Sequence, residues 1–263
     1  MESFRKSQIL ELARHEGKVL VEQLAVRFDV TTQTIRRDLT ELAASGRLER
    51  VHGGAIMPAS HRNPGYRARQ VLQEREKEAI ADLCARQIPA NASVLLNIGT
   101  STEAVARALL GHENLTVITN NLNVADILAE SETCKIVVAG GMLRKDDGGL
   151  VGDLTLETIR QFKVDYAVIG TSALDRDGNL LDFDLQEVRA SRTIIEYSAR
   201  TFLVVDKSKL ERSAPVRIAS LREIDAVFTD GLPKSLCSKC EAWETAVFST
   251  DASDAQMQER SRG

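Results

Sequence analysis

The chain has 263 residues, 43% of them hydrophobic and 27% charged, with a formal net charge of -4 and four cysteines. That length predicts two domains. No run approaches the roughly 18 apolar residues of a membrane helix and Met1-Glu2-Ser3 lacks the basic, then apolar, start of a secretory leader, so a cytoplasmic chain with no membrane partner is expected.

The charge is uneven. Residues 1–70 carry 12 Lys and Arg against 8 Asp and Glu, and the remainder carries 22 against 30. A basic module joined to an acidic one fits a DNA reader attached to a sensor. A first helix is expected over Ser3–His15, with Ile9, Leu10 and Leu12 apolar, and a second over Val21–Phe28, with Leu24, Ala25 and Phe28 inward. Asp29-Val30 makes a short turn. A third helix begins at Thr31 or Thr32, whose hydroxyl can accept from an orphan backbone N–H. It runs with Ile35, Leu39 and Leu42 inward as far as Gly46, where a left-handed residue would close it.

Thr32, Gln33, Thr34, Arg36, Arg37 and Thr40 then lie on the outer flanks. Amide, hydroxyl and guanidinium groups are what base edges and phosphates call for. Arg47–Val51 can form a strand that His52-Gly53-Gly54 turns back, with Arg50 and His52 on this basic hairpin. An arginine pair on a helix is more often a plain solvated face. The capped helix, apolar face, glycine stop and hairpin together describe a winged helix-turn-helix over residues 1–57. Such modules place the second helix of the motif in the major groove of double-stranded DNA, and paired half-sites call for a homo-oligomer.

Residues 58–73 read as a linker, because Met57–Gln70 (MPASHRNPGYRARQ) has prolines, glycine and scattered arginines but no apolar period. Helix and strand then alternate over residues 74–249. Helices are expected at Glu74–Ile88, Thr102–Leu110, Leu122–Glu130, Leu154–Phe162 and Leu185–Ser198. Strands are expected at Ser93–Ile98, Leu115–Thr119, Lys135–Ala139, Val164–Gly170, Thr201–Asp206 and Ala226–Asp230. This order predicts a three-layer, mainly parallel α/β domain. Residues 250–263 form a polar tail.

Ligands of such sheets bind outside the carboxyl ends of the strands. The loop Asn97-Ile98-Gly99-Thr100-Ser101-Thr102 opens a helix, so its glycine, hydroxyls and first N–H groups could cradle a phosphate. It is neither a dinucleotide fingerprint nor a Walker loop, and plain capping is the alternative. Thr119-Asn120-Asn121, Gly140-Gly141 with Arg144, Gly170-Thr171-Ser172 and Asp206-Lys207-Ser208-Lys209 bring further donors and cations to the same edge. A phosphorylated sugar or polyol would suit them.

No cofactor or metal is called for. Cys237 and Cys240 form one C-x-x-C without the second pair that zinc requires, and are expected as free thiols in a loop. Enzymatic activity is not expected. The second domain has one histidine, His112. Asn97 cannot serve as a carboxylate base, and only Asp184 and Glu187 remain as possible bases.

VTTQTIRRDLTEL followed by RVHGGA resembles the N-terminal signature of the DeoR family of bacterial repressors. IGTSTEAVARALL, TNNLNVA, AGGMLRKDDGGLVGDLTLETIRQF, LDFDLQEVR and LVVDKSKLERSA resemble that family's sensor domain, whose fold resembles sugar-phosphate isomerases. The resemblance implies repression of glycerol uptake and catabolism genes, with glycerol 3-phosphate as the effector that releases operator DNA. The alternative is another sugar phosphate. Three departures stand out. The family usually has a Ser or Thr cap where this chain has Leu20 or Val21, Asp where it has Asn97, and Lys-Arg where it has Ser191-Arg192. Arg189, Arg192 and Lys209 remain as cations near the site in sequence.

Overall fold

The structure, a computed structural model, describes all residues except 1–3, 17, 46, 52, 57–64 and 252–263. The expectations for Gly46, for His52, for the first part of the linker and for the polar tail therefore lie outside the described residues. The chain forms two units, Met1–Pro64 and Gly65–Gly263.

The first unit contains α1 (Phe4–Glu16), β1 (Lys18–Leu20), α2 (Val21–Phe28), α3 (Thr32–Ala44), β2 (Glu49–Val51) and β3 (Gly54–Ile56). Ile9, Leu10 and Ala13 of α1, Val21 and Leu24 of α2, and Ile35, Leu39 and Leu42 of α3 close on Val19, Leu48 and Ala55. Burying each large side chain is worth roughly 1.5–3 kcal/mol, which explains why three short helices hold together. Arg5 Nε also bonds Asp38 Oδ2 at 2.6 Å, tying α1 to α3. β3 pairs antiparallel with β2 and with β1, giving the order β1-β3-β2. β1 was not expected, because three residues carry no readable period. Its close approach requires Gly54, where a Cβ would sit 2.0 Å from Val19 O.

The second unit opens with α4 (Tyr66–Val71) and α5 (Glu74–Ala85). Residues 65–73 are thus not the structureless linker that composition indicated. There follow β4 (Ser93–Leu96), α6 (Thr100–Ala108), β5 (Thr116–Thr119), α7 (Leu122–Leu128) and β6 (Lys135–Val138). A hairpin of β7 (Met142–Leu143) and β8 (Leu150–Val151) leads to α8 (Asp153–Arg160) and β9 (Val164–Ile169). Then come β10 (Ala173–Leu174), β11 (Asn179–Asp182), α9 (Leu185–Glu196), β12 (Ser198–Val205), β13 (Val216–Ser220), β14 (Ala226–Thr229), α10 (Lys234–Ala242) and β15 (Ala246–Ser249).

Seven strands form one sheet in the order β15-β14-β12-β9-β4-β5-β6, and every pairing in it is parallel. The six expected strands are all in it, and β15 extends its edge. Alternate residues face opposite layers. Val94 and Leu96 pack with α5, α6 and α7, whereas Leu95 packs with Ile159 of α8 and Val188 and Ile194 of α9. These are the three layers. The antiparallel β10-β11-β13 sheet packs into the second of them through Leu174, Leu180 and Ile218. Cys237 and Cys240 sit on helix α10 rather than in a loop, with Cys240 buried. Burial lifts the Cys240 thiol to about 11, and no His, Cys or carboxylate cluster able to hold a metal occurs among the described residues.

The chain winds outward from β4 through β5 to β6 in one direction, and from β9 through β12 and β14 to β15 in the other. β4 and β9 are neighbours. The crevice beyond their carboxyl ends is therefore the switch point of the sheet, and the loops beginning at Asn97 and Gly170 border it.

Candidate functional site

In the first unit α3 starts where expected. Thr31 Oγ1 accepts from the Thr34 backbone N–H at 3.2 Å and caps the helix. α2 has Leu20 at its N-cap position, with no side-chain cap. Thr32, Gln33, Arg36, Arg37, Thr40 and Arg50 are exposed and Thr34 is half-buried. Arg37 Nε bonds Glu41 Oε1 at 3.0 Å yet stays 82% exposed. Thr40 Oγ1 donates to the Arg36 carbonyl at 2.8 Å, and Arg50 Nη1 reaches the same carbonyl at 3.4 Å. The β2 strand is thereby held beside α3, and polar groups from both face solvent together.

In the second unit the expected residues divide into those at the switch point and those held elsewhere. Gly99 precedes α6 with φ 139° and ψ 154°, and no side chain caps that helix. The conformation is essentially glycine-only, and the first N–H groups of α6 have no carbonyl within the helix to bond. Thr100 is buried at the helix start and Ser101 half-buried beside it. Asn97 is buried. Its Nδ2 donates to Ser191 Oγ at 2.8 Å, while its Oδ1 has no hydrogen-bond partner. Asn97 and Ser191 are two of the positions at which the chain departs from the family pattern, and they touch. This neutral pair stands where the resemblance implies Asp and Lys.

Asn120 lies one residue past the Leu96↔Thr119 pair, as Asn97 does on the neighbouring strand's end. Its Nδ2 donates to the Leu150 carbonyl at 3.2 Å, and its buried Oδ1 also lacks a partner.

Other expected donors are engaged in holding loops. Thr102 Oγ1 lies 2.7 Å from both the Asn97 and the Gly99 carbonyl. Asn121 caps α7 and reaches Glu103 Oε1 at 3.3 Å. Thr171 Oγ1 is bonded to Leu181 and Ala173, fixing the β10-β11 hairpin. Arg144 is surrounded by carboxylates: Asp147 at 3.0 Å, Asp184 at 3.1 Å, and Glu187. Arg189 is turned away, half-exposed and 3.5 Å from Asp153, because residues 187 and 191 define the inward face of α9. Arg192 bonds the Ile218 carbonyl at 2.7 Å. His112 bonds the Ala85 carbonyl at 3.0 Å.

Lys209 is where the sequence placed it, buried at the carboxyl edge. Among the described residues no carboxylate lies within ion-pair distance of its ammonium group. Burial, then the nearby Arg212 and the further cations Arg69 and Lys77, pull its pKa down to about 7, against the opposing pull of Asp206. Burial likewise lowers the pKa of Lys77.

Sequence reading missed most of this cluster. Arg69 was assigned to the linker; its side chain is only 13% exposed and its Nη2 lies 3.4 Å from Asp147. Its carbonyl accepts from Thr100 Oγ1 at 3.3 Å and from Lys77 Nζ. Lys77 could have been suspected, since it falls on the same helical face as the buried Ile80, Ala81 and Cys84. Glu103 is buried in the first turn of α6 and accepts from Tyr66, Asn121 and Asn123. Asp182 and Glu187 lie close together, and burial raises both pKa values.

The crevice thus has two sides. Cations and helix N–H groups suit a phosphate, and amide oxygens without partners suit hydroxyl donors. Both carboxylates that could have served as bases, Asp184 and Glu187, are ion-paired to Arg144.

The chain is 48% identical over 229 residues to the glycerol-3-phosphate regulon repressor of Escherichia coli (strain K12), covering 87% of this chain and 91% of that protein. It is 43% identical over 246 residues to the glycerol-3-phosphate regulon repressor of Haemophilus influenzae, covering 94% and 96%. Among solved structures, ribose 5-phosphate isomerase A from Methanocaldococcus jannaschii aligns with a TM-score of 0.40 and 14% identity, over 52% of this chain and 55% of that one. The DeoR-like helix-turn-helix domain matches residues 5–61 and the DeoR C terminal sensor domain residues 72–231. The chain belongs to the DeoR family of transcriptional regulators.

Proposed function

We propose that the protein represses genes of glycerol and glycerol 3-phosphate metabolism in the cytoplasm, and that glycerol 3-phosphate releases it from operator DNA. In this reading Thr32, Gln33, Thr34, Arg36, Arg37 and Thr40 face the major groove, with Arg50 and His52 on the flanking wing. The protein works as a homo-oligomer on paired half-sites, catalyses nothing and needs no cofactor. The phosphate lies against Gly99, Thr100, Ser101 and Thr102 at the start of α6, with Lys77 and Lys209 supplying charge. Asn97 and Asn120 accept from the two hydroxyls.

The observation that carries the reading is the buried Lys209 amine, which makes no ion pair among the described residues and stands among Arg212, Arg69 and Lys77, with Asp206 as the opposing charge near it. Burial and like charges disfavour the charged form of this amine, at a cost in charging it. An arriving dianion removes that cost and thereby gains affinity. Two unpaired amide oxygens, each one residue past the end of adjacent strands, favour a ligand with two hydroxyl donors.

Calorimetry with glycerol 3-phosphate, fructose phosphates and ribose 5-phosphate, in parallel with operator binding, tests it. Heat and operator release are expected with glycerol 3-phosphate. The same response to another sugar phosphate alone would keep the repressor and replace its effector.

A further inference from the structure

We propose that helix α4 is a built-in competitor for the effector's anion: its carbonyl end occupies the anion's donors, and the helix undocks when the anion binds. This rests on the reading that an anion binds at the start of α6.

The contacts of α4 are unusual for a packed helix. It has no buried residue, and Val71 is 74% exposed. Polar bonds to the rim of the crevice hold it instead. Tyr66 Oη donates to the Glu103 carboxylate at 3.0 Å and accepts from Asn123 Nδ2 at 2.9 Å and Gln70 Nε2 at 2.8 Å. Arg69 Nη2 reaches Asp147 at 3.4 Å.

The decisive contact is the Arg69 carbonyl. It belongs to the last turn of α4, where carbonyls lack partners within the helix and carry partial negative charge. It accepts from Thr100 Oγ1 and Lys77 Nζ. Those two donors, beside the uncapped start of α6 and next to Lys209, are the ones a phosphate oxygen requires. One donor set faces two acceptors. For the Thr100 hydroxyl a bond to a dianion is charge-assisted and roughly twice as strong as its bond to a neutral carbonyl, and the Lys77 ammonium exchanges a partial negative charge for a full one, so the anion displaces the helix.

Gln73, left-handed at φ 54°, separates α4 from α5 and provides the pivot. α4 is also the first element of the second unit, directly after residue 64 in the chain.

Hydrogen exchange of the full-length protein over residues 66–72, with calorimetry on the same samples, tests this. The probes are glycerol 3-phosphate and, separately, inorganic phosphate. Heat accompanied by faster exchange at 66–72 is the expected result. Tyr66→Phe removes the bond to Glu103 without touching Thr100 or Lys77. It should speed exchange without ligand and tighten ligand binding about threefold or more, since a weaker competitor leaves more of the competent state. Gln70→Ala, at an exposed position, should act in the same direction and more weakly. Heat with slower or unchanged exchange would overturn the inference and leave the site standing, as would weaker binding in both variants. No heat from either probe, in the wild-type protein and in Tyr66→Phe, would overturn both.

Discussion

The outer face of α3 and the carboxyl edge of the sheet are built from the same kinds of group but in opposite states. On α3, Thr32, Gln33, Arg36 and Arg37 stand in solvent, with Arg37 lightly tied to Glu41. At the sheet edge Asn97, Asn120, Lys77 and Lys209 are buried, and several of their neighbours are bonded to one another. A duplex approaches as a rigid surface and meets side chains that need only reorient. A small anion entering the crevice must displace internal bonds before it makes its own. The first arrangement suits register and readout, and the second suits a ligand whose binding has to rearrange the protein.

The largest effect that would break this contrast is expected at Gly99. Gly99→Val forces a β-branched residue into φ 139° and ψ 154°, straining the loop by about 1–3 kcal/mol and blocking approach to the α6 backbone. Calorimetry should show effector affinity reduced about a hundredfold or more. Operator binding by gel shift should be unchanged, because α3 belongs to a separate unit.

On the exposed face, Arg36→Ala should weaken operator binding by about 1–3 kcal/mol if the guanidinium reads a base. Arg37→Ala removes a side chain shared with Glu41 and should cost less. If either contacts phosphate, all sequences weaken alike and the salt dependence flattens. Salt titrations of both variants on operator and random DNA separate these outcomes, and unchanged affinity in both would remove α3 from the interface.

The buried pair offers an intermediate test. Asn97→Asp buries a carboxylate beside the Ser191 hydroxyl in place of a neutral amide, and should lower the thermal stability of the sensor by about 1–3 kcal/mol. Adding Ser191→Lys supplies the missing charge and should recover part of the loss, a positive coupling read from the double-mutant cycle. Simple additivity of the two changes would mean that the positions do not interact.

The smallest effect is that of pH. Lys209 sits near 7 because of burial and then the adjacent Arg212. A bound dianion stabilises the charged ammonium and raises its pKa, so binding takes up a proton. The Lys209 contribution to affinity is then complete below about pH 7 and declines as pH rises above it. Calorimetry in two buffers of different ionisation heat measures the proton uptake. Lys209→Met should flatten the profile. A flat profile in the wild-type protein would assign the charge elsewhere.

The two regions also differed in how legible they were. The faces of α3 follow from the spacing of Ile35, Leu39 and Leu42, since helical periodicity sorts exposed from buried without tertiary information. Six sheet strands were legible as short apolar runs, and Asn97, Gly99, Thr100 and Lys209 from their places after strands. Arg69 was not, because α4 lacks the apolar period that marks a packed helix and is held by polar bonds to distant loops. Nor could spacing reveal that Arg144 is saturated by Asp147, Asp184 and Glu187, or that Arg189 points outward. Sequence locates donors, but which of them are already engaged is decided by residues up to 94 positions away, as with Asn97 and Ser191.

The most direct test is fluorescence anisotropy of labelled operator DNA bound to the full-length protein and titrated with glycerol 3-phosphate. The wild-type protein should release the DNA in a saturable way, and Gly99→Val should bind the same DNA and hold it through the whole titration. Equal release from both proteins, or none from either while the wild-type protein still gives heat with the ligand, would contradict the assignment of the sheet edge as the site that governs DNA binding.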